Sequence, residues 1–516
     1  MKIKNIFKIV VVSGMLVPAM TSCSDWLQVD LEDSILESAL FETNEGYTSA
    51  LNGVYTQMNE QYASKLTMGT LDVMAKLYNV GLNHNSNPYN TFAFDDSQFK
   101  SMSNSLWTGH YFQIANLNNL LEFCDMKESA LKDHYRPYVK GEALALRAML
   151  HFDLLRIYGP IYSEETAGTI CMPYQETTSK EIQPMLSASE VIEKVIRDLK
   201  DAAEFLKDDR IRTEGVMNGA SEDPNENTDF RYRQFRMNYY AGQGLLARAY
   251  LWKGDKASAY ACATDVIKEN EEKEVFTWTP KASVQGSNPD LIFSTEVMFA
   301  LYNQSRVNTY DALFNPSASI SSILTFPGES MAEGVESSKI NYVYTDIDDL
   351  RRTEMWSLET VMEQNSETGE QKEHKMLCFS KFKNLTTSET RRYMIPLLRL
   401  SEMYLIAAEC TDNLDEALGY VNAIRTHRNC VDLPAFASED EKMASVDAEF
   451  AREMIGEGQI YFYYKRLGKT KVLSGLATDY EDPYYSWEER VVYATMQPQE
   501  YVWPLPDVEK DKRANN

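Results

Sequence analysis

The sequence predicts a mostly α protein, a helical body with dispersed tetratricopeptide-like helix pairs, large loops and a few short strands. Three observations predict it. Ser187-Ala188-Ser189-Glu190 is a capping box, serine at the N-cap and glutamate three residues on. It opens a run with apolar residues at Ile192, Val195, Ile196, Leu199, Ala203 and Leu206, the one-sided spacing of an amphipathic helix. Arg136 to Tyr158 reads as a second helix, stopped by Gly159-Pro160. Two later segments resemble each other. In one, Ala247, Tyr250 and Leu251 precede a Gly254-Asp255 turn, and Ala259, Ala263 and Val266 follow it. In the other, Tyr404, Ala407 and Ala408 precede a turn around Asp412-Asn413, and Ala417, Val421 and Ile424 follow. Small residues where two helices cross, flanked by bulky ones, allow the close packing of such a pair. The two copies are far apart and form no tandem array.

The chain opens with Lys2, Lys4 and Lys8, then an apolar run from Ile9 to Met20 broken by Ser13, Gly14 and Pro18. That run is too short to span a bilayer, which takes roughly 18 residues or more, but it suits the core of a signal peptide. Thr21 and Ser22 lead into Cys23. A cysteine at that junction is what a lipoprotein signal peptidase uses, since its thiol accepts a diacylglyceryl group and becomes the new N-terminus. Residues 1–22 are therefore predicted as a lipoprotein signal peptide and Cys23 as the lipidated residue, carrying acyl chains of the palmitate type. Each buried methylene contributes about 0.8 kcal/mol, and more than one chain is needed for stable anchoring. Residues 23–516 are predicted as a single domain. No Pro/Ser-rich linker divides them, although residues 276–385 read as an inserted loop-rich region. Within that insertion Leu291–Thr295 and Ile340–Tyr344 are predicted as short strands, and residues 213–230 as a polar exposed loop.

Composition excludes some functions. The formal charge is −26, and removing residues 1–22, with three lysines and no carboxylate, takes it to −29. A nucleic-acid binder working through phosphate contacts needs a basic footprint instead. Beyond Cys23 the cysteines are Cys124, Cys171, Cys262, Cys378, Cys410 and Cys430, scattered and without C-x-x-C spacing, which predicts buried free thiols. His84, His110, His134, His151, His374 and His427 show no zinc-ligand spacing, so no metal or other cofactor is expected. Gly242-Gln243-Gly244-Leu245-Leu246-Ala247 formally matches a dinucleotide turn but lies within a helical run, where packing explains it better. Asp346, Asp348 and Asp349 lack the glycine of a calcium loop and are predicted as a solvated turn.

Several motifs in order carry a family resemblance. They begin with Cys23-Ser24-Asp25-Trp26-Leu27. Arg147-Ala148-Met149 follows, running through Phe152-Asp153-Leu154-Leu155-Arg156-Ile157-Tyr158-Gly159-Pro160. Next come Arg399-Leu400-Ser401-Glu402-Met403-Tyr404-Leu405-Ile406-Ala407-Ala408-Glu409 and Asn422-Ala423-Ile424-Arg425. Glu453, Gly456-Glu457-Gly458, Tyr464-Lys465-Arg466-Leu467-Gly468 and Trp503-Pro504-Leu505-Pro506 complete the series. With these the chain resembles the SusD/RagB family from nearly end to end, departing only after Pro506, where the family's usual Gln-Asn-Pro-Gly-Tyr type ending is missing. The resemblance implies a SusD-like helical fold and a non-enzymatic outer-membrane lipoprotein facing the cell exterior. It implies a partner, a SusC-like TonB-dependent outer-membrane barrel over which the protein sits as a lid. The implied cargo is oligosaccharide, or peptide as in RagB-type members.

Two readings of the polar residues follow. Glu402, Glu409, Glu453 and Glu457, with Arg399, Arg425, Arg452 and Arg466, could supply the paired carboxylates of a glycoside hydrolase. Their helical setting favours structural ion pairs. A sugar site needs flat aromatic faces among amides and hydroxyls. Two regions have that chemistry: Asn83, His84 and Tyr89 with Trp107 behind them, and Tyr302, Arg306 and Tyr310 with Phe326 and Trp356.

Overall fold

The computed structural model describes residues 39–219, 230–328, 330–333, 338–364, 368–387, 389–473 and 493–514. The signal peptide, Cys23 and most of the 213–230 loop lie outside them. The fold is mostly helical, and helices close in sequence pack on one another in turn. Ser97–Asp125 lies against Arg136–Tyr158, which lies against Ala188–Phe205, then Tyr239–Lys253, Lys256–Lys273, Leu400–Cys410 and Leu414–His427. No helix among the described residues is long and apolar enough to cross a membrane.

The local signals act as their chemistry predicts. Ser187 caps its helix from a β-region backbone, accepting from the Glu190 N–H while the Glu190 carboxylate accepts from the Ser187 N–H at 2.8 Å. Both helix pairs form. In the first, Gly254 ends Tyr239–Lys253 with φ +87°, a left-handed turn that suits glycine, and Asp255 caps the next helix through the Ser258 N–H. In the second, Asn413 caps Leu414–His427. The Gly242–Ala247 run is helical, and a Cβ on Gly244 would come within 2.5 Å of Leu398, so this glycine lets the helix approach the sheet closely.

The insertion differs from its predicted strands. Ile340–Val343 is a helical turn, and Leu291–Thr295 is a bend leading into a short 3₁₀ turn. The strand starts later, at Val297–Tyr302, and pairs antiparallel with Met394–Arg399. Short apolar runs bury equally well in either form, and here the distant partner strand decides. A hairpin of Trp356–Gln364 and Gln371–Phe379 completes the insertion, with Thr325–Phe326 on its inner edge. Asp348 is exposed in its turn, as predicted. Asp349 is not: it is buried and paired with Arg351. The six described cysteines are free thiols, three buried and three half-buried. After Pro506 the chain forms a helix, Asp507–Ala514, docked on Ser97–Asp125.

The Gly456-Glu457-Gly458 turn clamps the N-terminal third of the fold. Gly458 has φ +69°, and a Cβ there would fall 1.8 Å from the Leu66 carbonyl oxygen. The Gly456 N–H donates to Asp72 Oδ2 at 2.6 Å. Burial pushes the Asp72 carboxyl up to about 7, against the opposing pull of the Gly456 N–H and Lys381. Between about pH 4 and pH 7 the folded chain therefore holds a proton that the unfolded chain has released. Stability from this group is full below that window and falls as pH rises through it, by at most about 1.4 kcal/mol per pH unit. Asp72→Asn is expected to gain on the wild type across the window and to run parallel above it. Calorimetric Tm values at matched pH check this, and parallel curves throughout would refute the assignment.

Candidate functional site

The conspicuous carboxylates are consumed by arginines. Glu453 Oε1 accepts from Arg428 Nε at 2.7 Å and Arg351 Nη1 at 2.7 Å, while Oε2 accepts from Arg399 Nη1 at 2.7 Å. Arg399 also reaches Glu457 at 2.8 Å, and Arg428 grips Glu296 at 2.6 Å. All of these side chains are buried. Despite that burial, the three guanidinium groups hold the Glu453 carboxyl well below the usual carboxylate range. Glu402 is forked by Arg248 and Glu409 by Arg466. These last two pairs line a cavity of about 40 Å³, room for a water but not for a sugar ring. The network joins helices and strands from four parts of the chain, which is the structural role that the sequence predicts. Among the described residues no cluster of His, Cys, Asp and Glu is arranged to hold a metal ion.

Most of the aromatics singled out as sugar platforms are in the core. Phe326 is 1% and Trp356 3% exposed, and the two stack at 3.8 Å. Trp356 also donates its indole N–H to the Tyr344 hydroxyl at 3.3 Å. Tyr89, Trp107 and Tyr310 are buried too. Arg306 serves the backbone, donating to the carbonyls of Arg391 at 3.2 Å and Met394 at 3.0 Å, and burial pushes its guanidinium down to about 10. His84 is buried as a clip between loops: Nε2 donates to the Ile323 carbonyl at 3.2 Å and Nδ1 accepts from the Ser86 N–H at 3.0 Å. Burial lowers its pKa, which keeps this neutral tautomer. None of these side chains offers a broad face to solvent.

The structure nevertheless brings the two predicted regions together. The Asn79 N–H donates to the Thr325 carbonyl at 2.8 Å, and the Asn85 N–H to Ser321 at 2.7 Å. The loop around Asn83 is thereby fastened to residues 319–326. Its surface shows Asn83, Asn85 and Leu82, which at 89% exposure is an apolar group held in water.

An aromatic platform lies where this second region leaves the sheet. Tyr302 ends its strand and is 39% exposed. Its ring sits 5.1 Å from Tyr393, tilted by 53°, and 5.4 Å edge-on from buried Phe235. The Arg392 guanidinium lies 5.0 Å from the Tyr393 ring. The Asn59 amide donates to the Tyr302 carbonyl at 3.1 Å, and its own oxygen is buried without a protein donor. An open aromatic face flanked by a guanidinium can stack on the apolar side of a sugar ring and meet its hydroxyls, while the Asn59 amide fixes the backbone beneath it. Of the predicted residues, Tyr302 and Asn83 are the exposed ones. No local sequence signal points to Tyr393, Arg392 and Asn59, which reach Tyr302 only through the pairing of Val297–Tyr302 with Met394–Arg399 and the packing of a distant helix.

Comparison with known proteins gives a consistent result. A family model described as starch-binding and associating with the outer membrane matches residues 25–215, and one described as the SusD family matches residues 322–515. A SusD superfamily protein from Bacteroides thetaiotaomicron superposes with a TM-score of 0.69 at 22% identity, covering 92% of this chain and 98% of that one. A SusD-like carbohydrate binding protein from Bacteroides vulgatus gives 0.66 at 18%, covering 92% and 97%. Surface glycan-binding protein A from Bacteroides thetaiotaomicron, in complex with laminarihexaose, gives 0.61 at 15%, covering 91% and 98%. No curated protein matches the chain.

Proposed function

Because the chain belongs to the SusD/RagB family, we propose that it binds oligosaccharide at the cell surface and delivers it to a SusC-like TonB-dependent outer-membrane barrel. In this reading residues 23–516 act as one domain, held to the outer membrane by lipid on Cys23 and closing over the barrel as a lid. The protein breaks no bonds; its work is capture, orientation and gating. The observation that carries the binding role is the exposed Tyr302 face with Tyr393, Arg392 and Asn59 around it. The family description as starch-binding and the laminarihexaose held by one similar structure support a carbohydrate cargo. The pairing of Glu402, Glu409, Glu453 and Glu457 with basic side chains supports a role without hydrolysis.

The partner is tested by pulling tagged full-length protein from detergent-solubilised outer membranes. Stoichiometric recovery of a TonB-dependent barrel is the expected result. Recovery of the protein alone, under conditions that preserve a known transporter pair, would remove the lid role. Glycan arrays and peptide pools run side by side test the cargo, and retention of peptides alone would replace oligosaccharide with the RagB-type alternative.

A further inference from the structure

On another part of the surface, the C-terminal helix Asp507–Ala514, the helix Ser97–Asp125 and the 173–183 loop enclose a cavity of about 430 Å³. That volume falls within the range of small-ligand sites, roughly 300–1,000 Å³. Trp107 and Tyr111 form one wall, their rings 4.9 Å apart. The wall is held rigid: the Trp107 indole donates to Glu509 Oε2 at 3.3 Å, and the Tyr111 hydroxyl to the Pro173 carbonyl at 2.8 Å. Arg513 pairs with Glu509 at 2.7 Å and donates to the Gln183 carbonyl at 3.0 Å, which latches the C-terminal helix to the loop. Lys180, Glu181 and Lys512 also line the cavity. Gln175, Ser179 and Gln183 stand around the opening. The Gln175 amide donates to the Thr177 and Ser179 carbonyls and the Gln183 amide to the Glu181 carbonyl, so they offer a ligand chiefly their amide oxygens, and Ser179 its hydroxyl.

A second observation points to a ligand. Phe112 is 57% exposed. It lies outside the cavity lining but next to it in the helix, one turn from Thr108 and three residues before Ala115, both of which line the cavity. Core packing does not explain a phenylalanine kept in water at the edge of a polar-rimmed cavity with an aromatic wall.

Resting on the carbohydrate cargo proposed above, we infer that this cavity is a second carbohydrate subsite, separate from the Tyr302 face, that takes a neutral pyranose against Tyr111 and the neighbouring Phe112 with its hydroxyls on Gln175, Ser179 and Gln183. The lining carries both signs, cationic Lys180, Lys512 and Arg513 against anionic Glu181 and Glu509. With an aromatic wall and uncharged polar groups at the rim, it suits a neutral polyol better than an ionised ligand.

The test uses crystals of the mature chain soaked separately with glucose, galactose, mannose and xylose, alongside saturation-transfer NMR with the same sugars. The expected result is density for a sugar ring in the cavity. Phe112→Ala, a change at an exposed position, should then weaken the solution signal about fivefold, and Gln175→Ala should weaken it by a further step. An empty cavity with all four sugars overturns the inference, as does sugar binding indifferent to both variants or a peptide found in the cavity instead. Because density is read at each place separately, failure here and failure at Tyr302 are distinguishable.

Discussion

Glu453→Ala is expected to destabilise the protein by about 3–5 kcal/mol, enough to threaten accumulation of folded chain. The reason is the asymmetry of a buried ion network. Glu453 stands among Arg351, Arg399 and Arg428, each within 2.7 Å, and all four side chains are shut off from water. Removing the carboxylate takes a shared partner from three buried guanidinium groups. Glu449 and Asp349 still hold Arg351, Glu457 holds Arg399 and Glu296 holds Arg428, but the N–H groups that Glu453 accepted from are left unbonded in a low-dielectric interior. Glu204→Ala provides the comparison. That residue pairs with Lys207 at 2.5 Å with both side chains exposed, and an exposed pair contributes little to stability. Denaturant unfolding of the two variants measures the contrast. If Glu453→Ala kept wild-type stability and lost only a bond-breaking activity, the network would be a catalytic site and the proposed function would fall.

The same network marks how far the sequence could be read. Helices were legible because their information is local: the Ser187–Glu190 box, the Gly159 stop and the small residues of the two helix pairs each act within a turn or two. The insertion was not, because its strands find partners far away in sequence. Val297–Tyr302 needs Met394–Arg399, and that pairing alone turns a run of apolar residues into a strand. Aromatic residues posed a harder problem. Tyr302, Phe326 and Trp356 look alike as loop aromatics among amides, yet two of them stack in the interior and one remains in water. Burial is a property of the assembled fold, and nothing in the local spacing encodes it. Arg306 is illegible for a related reason. A lone arginine near aromatics suits a ligand, but here three backbone carbonyls claim it.

Tyr302→Ala is expected to weaken glycan binding about tenfold while leaving the fold intact. A well-stacked ring is worth about 0.5–1.5 kcal/mol beyond the area it covers, and the area adds to that. The side chain already faces solvent, so its removal opens no cavity. Tyr302→Phe keeps the face and should bind nearly as the wild type does, which separates stacking from any contribution of the hydroxyl. Trp356→Ala should behave in the opposite way. Its loss is expected to cost about 3–5 kcal/mol of stability, while the molecules that remain folded bind glycan normally. Affinity electrophoresis in glycan gels, paired with thermal unfolding of each variant, reads both quantities at once. Were Trp356→Ala to lose binding at full stability while Tyr302→Ala kept it, the exposed platform would be the wrong surface. The glycan would then have to reach residues that the fold holds closed, and binding would require the 319–326 loop to open first.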